Sequence, residues 1–138
     1  MLKHTLLASI FTLAGISLAQ AQSCEKNFKV SGIPLVTVVS YKSSQSFPKV
    51  KQADALKRLA QAVAAEGFSG ITVNKELGAI DAVQDGSGSG RVQTLRVVAR
   101  SQGGGTLVNA IFNVQPGQVT SKEETRSGLC VIIKAAGG

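Results

Sequence analysis

Between Arg91 and Val114 apolar residues fall on every second position in two consecutive runs, broken once by the glycines of residues 101–105. A period of two is the side-chain period of a strand, and a short glycine break between two such runs is a hairpin. The first run sets Leu95, Val97 and Ala99 on one side, and Thr94, Arg96, Val98 and Arg100 on the other. In the second, Val108, Ala110, Phe112 and Val114 alternate with Asn109 and Asn113. A chain holding this segment is committed to an antiparallel sheet with one buried and one polar face.

The pattern extends upstream. Ile71, Thr72 and Val73 read as a strand, residues 74–78 as a turn, and residues 79–83 as its partner. Asp85, Gly86, Ser87, Gly88, Ser89 and Gly90 form a loop, which makes residues 71–114 a four-stranded meander. Before it, residues 31–34 (Ser-Gly-Ile-Pro) predict a turn and residues 35–41 a β-branched strand. Residues 42–46 read as a polar loop leading into Phe47 and Pro48.

Two helices complete the plan. Leu56, Leu59, Ala60 and Val63 recur at helical spacing within residues 51–66, Asp54 can pair with Arg58 one turn on, and Gly67 stops the helix with Phe68 placed for the closing apolar contact. After Pro116 and Gly117, Thr120 and Ser121 each precede a glutamate by three residues, Glu123 and Glu124, the spacing of a capping box. Leu129, Ile132, Ile133 and Ala136 then follow a helical period; the competing reading makes residues 129–133 a strand. The expected fold class is α+β: strand, helix, four-stranded meander and C-terminal helix, with the helices on one face of the sheet.

The stretch from Ala55 through Glu66, Gly67 and Phe68 to Leu77, Gly78, Ala79 and Ile80 resembles the helix-grip domains of BamC-type envelope proteins, where a helix ending in Gly-Phe leads into a strand and a hairpin. The resemblance implies a fold and an envelope setting, and names no site residue.

Residues 1–21 have the order of a secretory signal peptide: Lys3 and His4, an apolar run from Leu6 to Leu18 too short to span a bilayer, then Ala19, Gln20 and Ala21. Residues 22–138 are then a single exported domain, periplasmic or secreted, with no transmembrane segment. Cys24 and Cys130 are the only cysteines, and in an oxidising compartment they read as a disulfide joining the two ends of that domain. The alternative is a lipoprotein anchored at Cys24, for which Ser23 fits a lipobox and Ala21 and Gln22 fit poorly.

The chain carries 15 Lys and Arg against 8 Asp and Glu, a formal net charge of +7, and only Lys3 of these lies in the leader. Outside the cytoplasm a basic surface meets anionic lipid headgroups, lipopolysaccharide or acidic proteins, and nucleic acid is not an expected partner. Arg91, Arg96 and Arg100 with Thr94 are the candidate anion-binding residues, Arg96 and Arg100 projecting from one face of one strand.

No residue set commits the chain to a reaction. The one histidine, His4, leaves with the leader, which excludes Ser-His and Cys-His pairs and His-ligated metals; no catalytic residue, metal site or cofactor is assigned. Residues 86–90 open a strand, not a helix, so they lack the context of a phosphate loop. Glu66, Glu76, Asp81 and Asp85 leave a carboxylate pair formally open. The leading expectation is a non-catalytic exported domain that binds or scaffolds at the cell envelope. A small carboxylate-dependent hydrolase and a secreted effector or inhibitor of another protein are the alternatives.

Overall fold

The computed structural model describes residues 23–85 and 91–138. The expected signal peptide and the Gly86 to Gly90 loop lie outside the described residues. The elements run α1 (Cys24–Asn27), β1 (Lys29–Ser31), β2 (Val39–Phe47), α2 (Gln52–Ala65), β3 (Ser69–Asn74), β4 (Ala79–Gln84), β5 (Gln93–Gln102), β6 (Gly105–Val114) and α3 (Lys122–Ala135). The fold is α+β. All six strands form one antiparallel sheet in the order β1-β2-β6-β5-β4-β3.

The connection through α2 explains that order. After β2 the chain crosses the sheet as a helix, begins β3 at the far edge, and returns by hairpins until β6 lies against β2. In α2, Ala55, Leu56, Leu59 and Val63 point at the sheet. The helix ends in a glycine motif: Phe68 N–H donates to the Val63 carbonyl at 3.4 Å and Gly67 N–H to that of Ala64 at 3.2 Å, with Gly67 at φ 87°. Phe68 then packs edge-on against Phe112 with ring centroids 6.0 Å apart. Arg58 reaches forward to the Ala136 carbonyl at 3.1 Å, not back to Asp54 as its spacing predicts.

The C-terminal segment is a helix, as its capping pattern predicts. The Ser121 hydroxyl accepts from Glu124 N–H at 3.3 Å, and Leu129, Cys130, Ile132 and Ile133 are buried. Side chains meet in rows on the helix-covered face: Ile80, Val97, Ala110 and Ser43 in one, Ala82, Leu95, Phe112 and Tyr41 in the next. Burying each of Leu59, Ile80, Leu95, Ile132 and Ile133 is worth roughly 1.5–3 kcal/mol.

The second strand is displaced from its expected place. Leu35 and Val36 belong to a turn, closed by Val36 N–H to the Ile33 carbonyl at 3.1 Å and by Thr37 N–H to the same carbonyl at 2.9 Å, with Leu35 at φ 69°. Residues 42–46, read from their polarity as a loop, are the middle of β2. The reason is that one face of β2 is open to solvent, where Lys42, Ser44 and Ser46 are at ease. On the other face α1 lies over the strand: the Gln45 side-chain oxygen accepts from Cys24 N–H at 3.1 Å, and the buried Ser43 hydroxyl donates to the Cys24 carbonyl.

Cys24 and Cys130 are joined in a disulfide with Cα atoms 5.6 Å apart, and both are buried. The bond fastens α1, and through it the outer strands β1 and β2, to the covering helix α3. No helix among the described residues is long and apolar enough to cross a membrane.

Candidate functional site

The three helices pack on one face of the sheet, and among the described residues none covers the other. β5 puts Thr94, Arg96 and Arg100 on that open face, as the alternation predicts, while Leu95, Val97 and Ala99 are buried beneath the helices. Arg91 is not with them. It precedes the strand, and its guanidinium donates to the Pro116 carbonyl at 3.1 Å while Gln118 donates to the Arg91 carbonyl at 2.9 Å. These bonds make Arg91 a clasp between the start of β5 and the loop after β6.

Arg96 is engaged within the face. Asp81 lies directly across from it on β4, and the guanidinium holds the carboxylate by two bonds, Nε to Oδ1 at 2.7 Å and Nη2 to Oδ2 at 3.2 Å. The carboxylate raises the Arg96 pKa above its ordinary value, so the charge is fixed. Both side chains are about half exposed, 62% and 48%, and such a pair contributes under about 1 kcal/mol to stability. The pair nonetheless neutralises one of the three expected anion-binding arginines.

Pairing across the sheet brings up two cations that the sequence reading left out. Lys29 on β1 faces Lys42 on β2; Lys42 faces Ile111 on β6, and Ile111 faces Arg96 on β5. Lys42 had been assigned to a loop, and only the alternation of Val39, Tyr41 and Phe47 hints that it belongs to a strand. The open face thus runs from two adjacent lysines, through serines, asparagines and Ile111, to the Arg96–Asp81 pair, with Arg100 four residues along β5. Strands lie about 4.8 Å apart and rise about 3.3 Å per residue, so Lys42 and Arg96 are roughly 10 Å apart and Arg96 and Arg100 about 13 Å. The charges are thus spread over three strands of the face. This spread suits a surface or chain that carries repeated negative charges.

The carboxylates do not assemble as an acid and base. Asp81 is held by Arg96 on the open face, Glu76 lies in the turn between β3 and β4, and Asp85 follows β4 at the other end of that strand. Glu66 borders a small pocket of about 140 Å³ floored by Phe68, Leu95 and Phe112, and no second carboxylate lines it. Among the described residues no group of His, Cys, Asp and Glu is placed to hold a metal ion. No family model matches this sequence, and no curated protein matches it either.

A second surface was not legible beforehand. Leu35, Val36 and Val38 are expected inside a strand and Ile33 in the turn before it, and all four are exposed in the loop between β1 and β2. The Ser-Gly-Ile-Pro turn signal just before them was the available hint that the strand starts later.

Proposed function

We propose that the chain is exported and that its folded part is a non-catalytic module binding a polyanionic surface of the cell envelope through the open face of its sheet. The observation that carries this reading is the uncovered face itself, where Lys29, Lys42, Arg96 and Arg100 stand against the single carboxylate of Asp81 in the cross-strand rows. Well-separated charges on a broad polar face bind a surface by summed, salt-sensitive attraction and need no enclosed pocket. The buried disulfide supports an oxidising location, where such bonds persist. It also supports release over lipid anchoring, because acylation of Cys24 would need the same sulfur.

The test is cosedimentation of the oxidised protein with vesicles of phosphatidylglycerol and of phosphatidylcholine, and with lipopolysaccharide. Binding to the anionic partners alone is expected, falling as salt rises from 50 to 500 mM. Lys42→Glu with Arg100→Glu should weaken it at least tenfold at low salt, since each basic residue near an anionic membrane is worth about 1 kcal/mol. Asp81→Asn, which removes the one opposing carboxylate, should strengthen it. Equal binding to neutral and anionic vesicles would overturn the reading.

A further inference from the structure

A different surface, on the helix-covered side, carries an inference that does not rest on the open face. Among the described residues β3 is the last strand of the sheet and pairs only with β4, so no described strand lies beside the outer edge of Thr72, Val73 and Asn74. α2 overhangs that edge. Between them runs a groove of about 660 Å³ floored by Ala53, Leu56, Ala60 and Val73, with Lys57 and Lys75 on its rim. The residues contributed by α2 recur at helical spacing and form one stripe along the helix, in which Leu56 is buried against the sheet while Ala53 is exposed and Ala60 half-buried. Val73 is 40% exposed although it stands in the same row as the fully buried Ile80 and Val97.

We propose that this groove receives an extended, acidic peptide segment from another protein, which adds to β3 as a seventh strand. Three features meet here. The edge of β3 offers backbone donors and acceptors in strand register, the means by which extended peptides join a sheet. The apolar stripe of α2 lies where the inward side chains of an added strand fall, as it does over β4 and β5. Neither Lys57 nor Lys75 is in an ion pair among the described residues, so the rim offers two unneutralised cations. The stripe from Gln52 to Gln61 spans roughly 13–15 Å, the length of about four extended residues. The matching segment therefore presents small apolar residues and a Glu or Asp on the one side that faces α2. A second copy of this chain is the poorer occupant, because pairing β3 with itself would bring the four lysines together.

The test uses the oxidised protein and a fluorescein-labelled hexapeptide, Val-Ser-Glu-Ser-Val-Ser, with Lys in place of Glu as control. Saturable binding of the acidic peptide is expected, with amide exchange slowed at Thr72 to Asn74. Lys57→Glu with Lys75→Glu should weaken it about tenfold and transfer the preference to the basic peptide. Ala60→Trp, which fills the floor and keeps both lysines, should abolish binding of either peptide. Circular dichroism establishes that each variant is folded. The proposal fails if neither peptide saturates, if both bind alike, or if protection appears away from β3. It fails equally if laurate occupies the groove and the peptide does not, or if the protein alone dimerises through β3.

Discussion

Gly78 turns the chain between β3 and β4 at φ 66°, and a Cβ there would lie 2.3 Å from the Ala99 carbonyl oxygen. Gly128 sits inside α3, where a Cβ would meet nothing within 4 Å. The same substitution therefore has opposite signs at the two sites. Gly78→Ala forces a left-handed residue against backbone and should lower stability by about 2 kcal/mol. Gly128→Ala removes chain entropy from the unfolded state and should raise stability by about 1 kcal/mol. Urea unfolding followed by circular dichroism measures both. The chain has no tryptophan, so the fluorescence of Tyr41, its only tyrosine, gives an independent probe of the core. Tyr41 stacks with Phe28 and lies tilted against Phe112 at centroid distances of 6.1 and 6.4 Å, and burial raises the pKa of its phenol.

Among the elements, α1 is the shortest helix, and it is held by its neighbours more than by itself. Besides the disulfide, Glu25 accepts a bond from Lys134 of α3, and that contact lowers the Glu25 pKa. A carboxylate depressed in the fold stabilises it above the unfolded pKa and loses that contribution as pH falls through the folded value. Glu25→Gln should therefore unfold at lower urea than the parent at pH 7, with the gap narrowing as pH is taken below the ordinary glutamate range. A gap unchanged as pH falls would mean that the side chains pack without an ionic component. Such cross-element ties are what the sequence could not display. α2, β5 and β6 are legible because each is long enough to repeat its period several times and one side of each is buried. α1 and β1 are too short to carry a period. β2 was misplaced because its polar residues answer to an open face and to α1, both known only after folding. The same limit governs the site. Alternation places Thr94, Arg96 and Arg100 together, whereas the addition of Lys29 and Lys42, the loss of Arg91, and the neutralising role of Asp81 follow from long-range strand pairing. The groove beside α2 depends on which strand ends the sheet, and no local pattern encodes that.

At the scale of the molecule, the helices and the two ends of the described chain are tied by one covalent bond across 106 residues of sequence. Replacing both cysteines with serine should cost about 5 kcal/mol, the loop-closure value for a span of this length. Urea midpoints of the oxidised parent and the double variant measure it, and a loss below about 1 kcal/mol would mean that the unfolded chain is already compact. The separation also sets a timetable. At a synthesis rate of roughly 5–20 residues per second, Cys24 precedes Cys130 by about 5–20 s and has no native partner in that interval. Any bond formed then is a wrong one, so correct oxidation is a late event, and a chain interrupted before its last helix can never acquire it. The bond thereby distinguishes chains synthesised past Cys130 from shorter ones by a chemical mark that a reductant can erase.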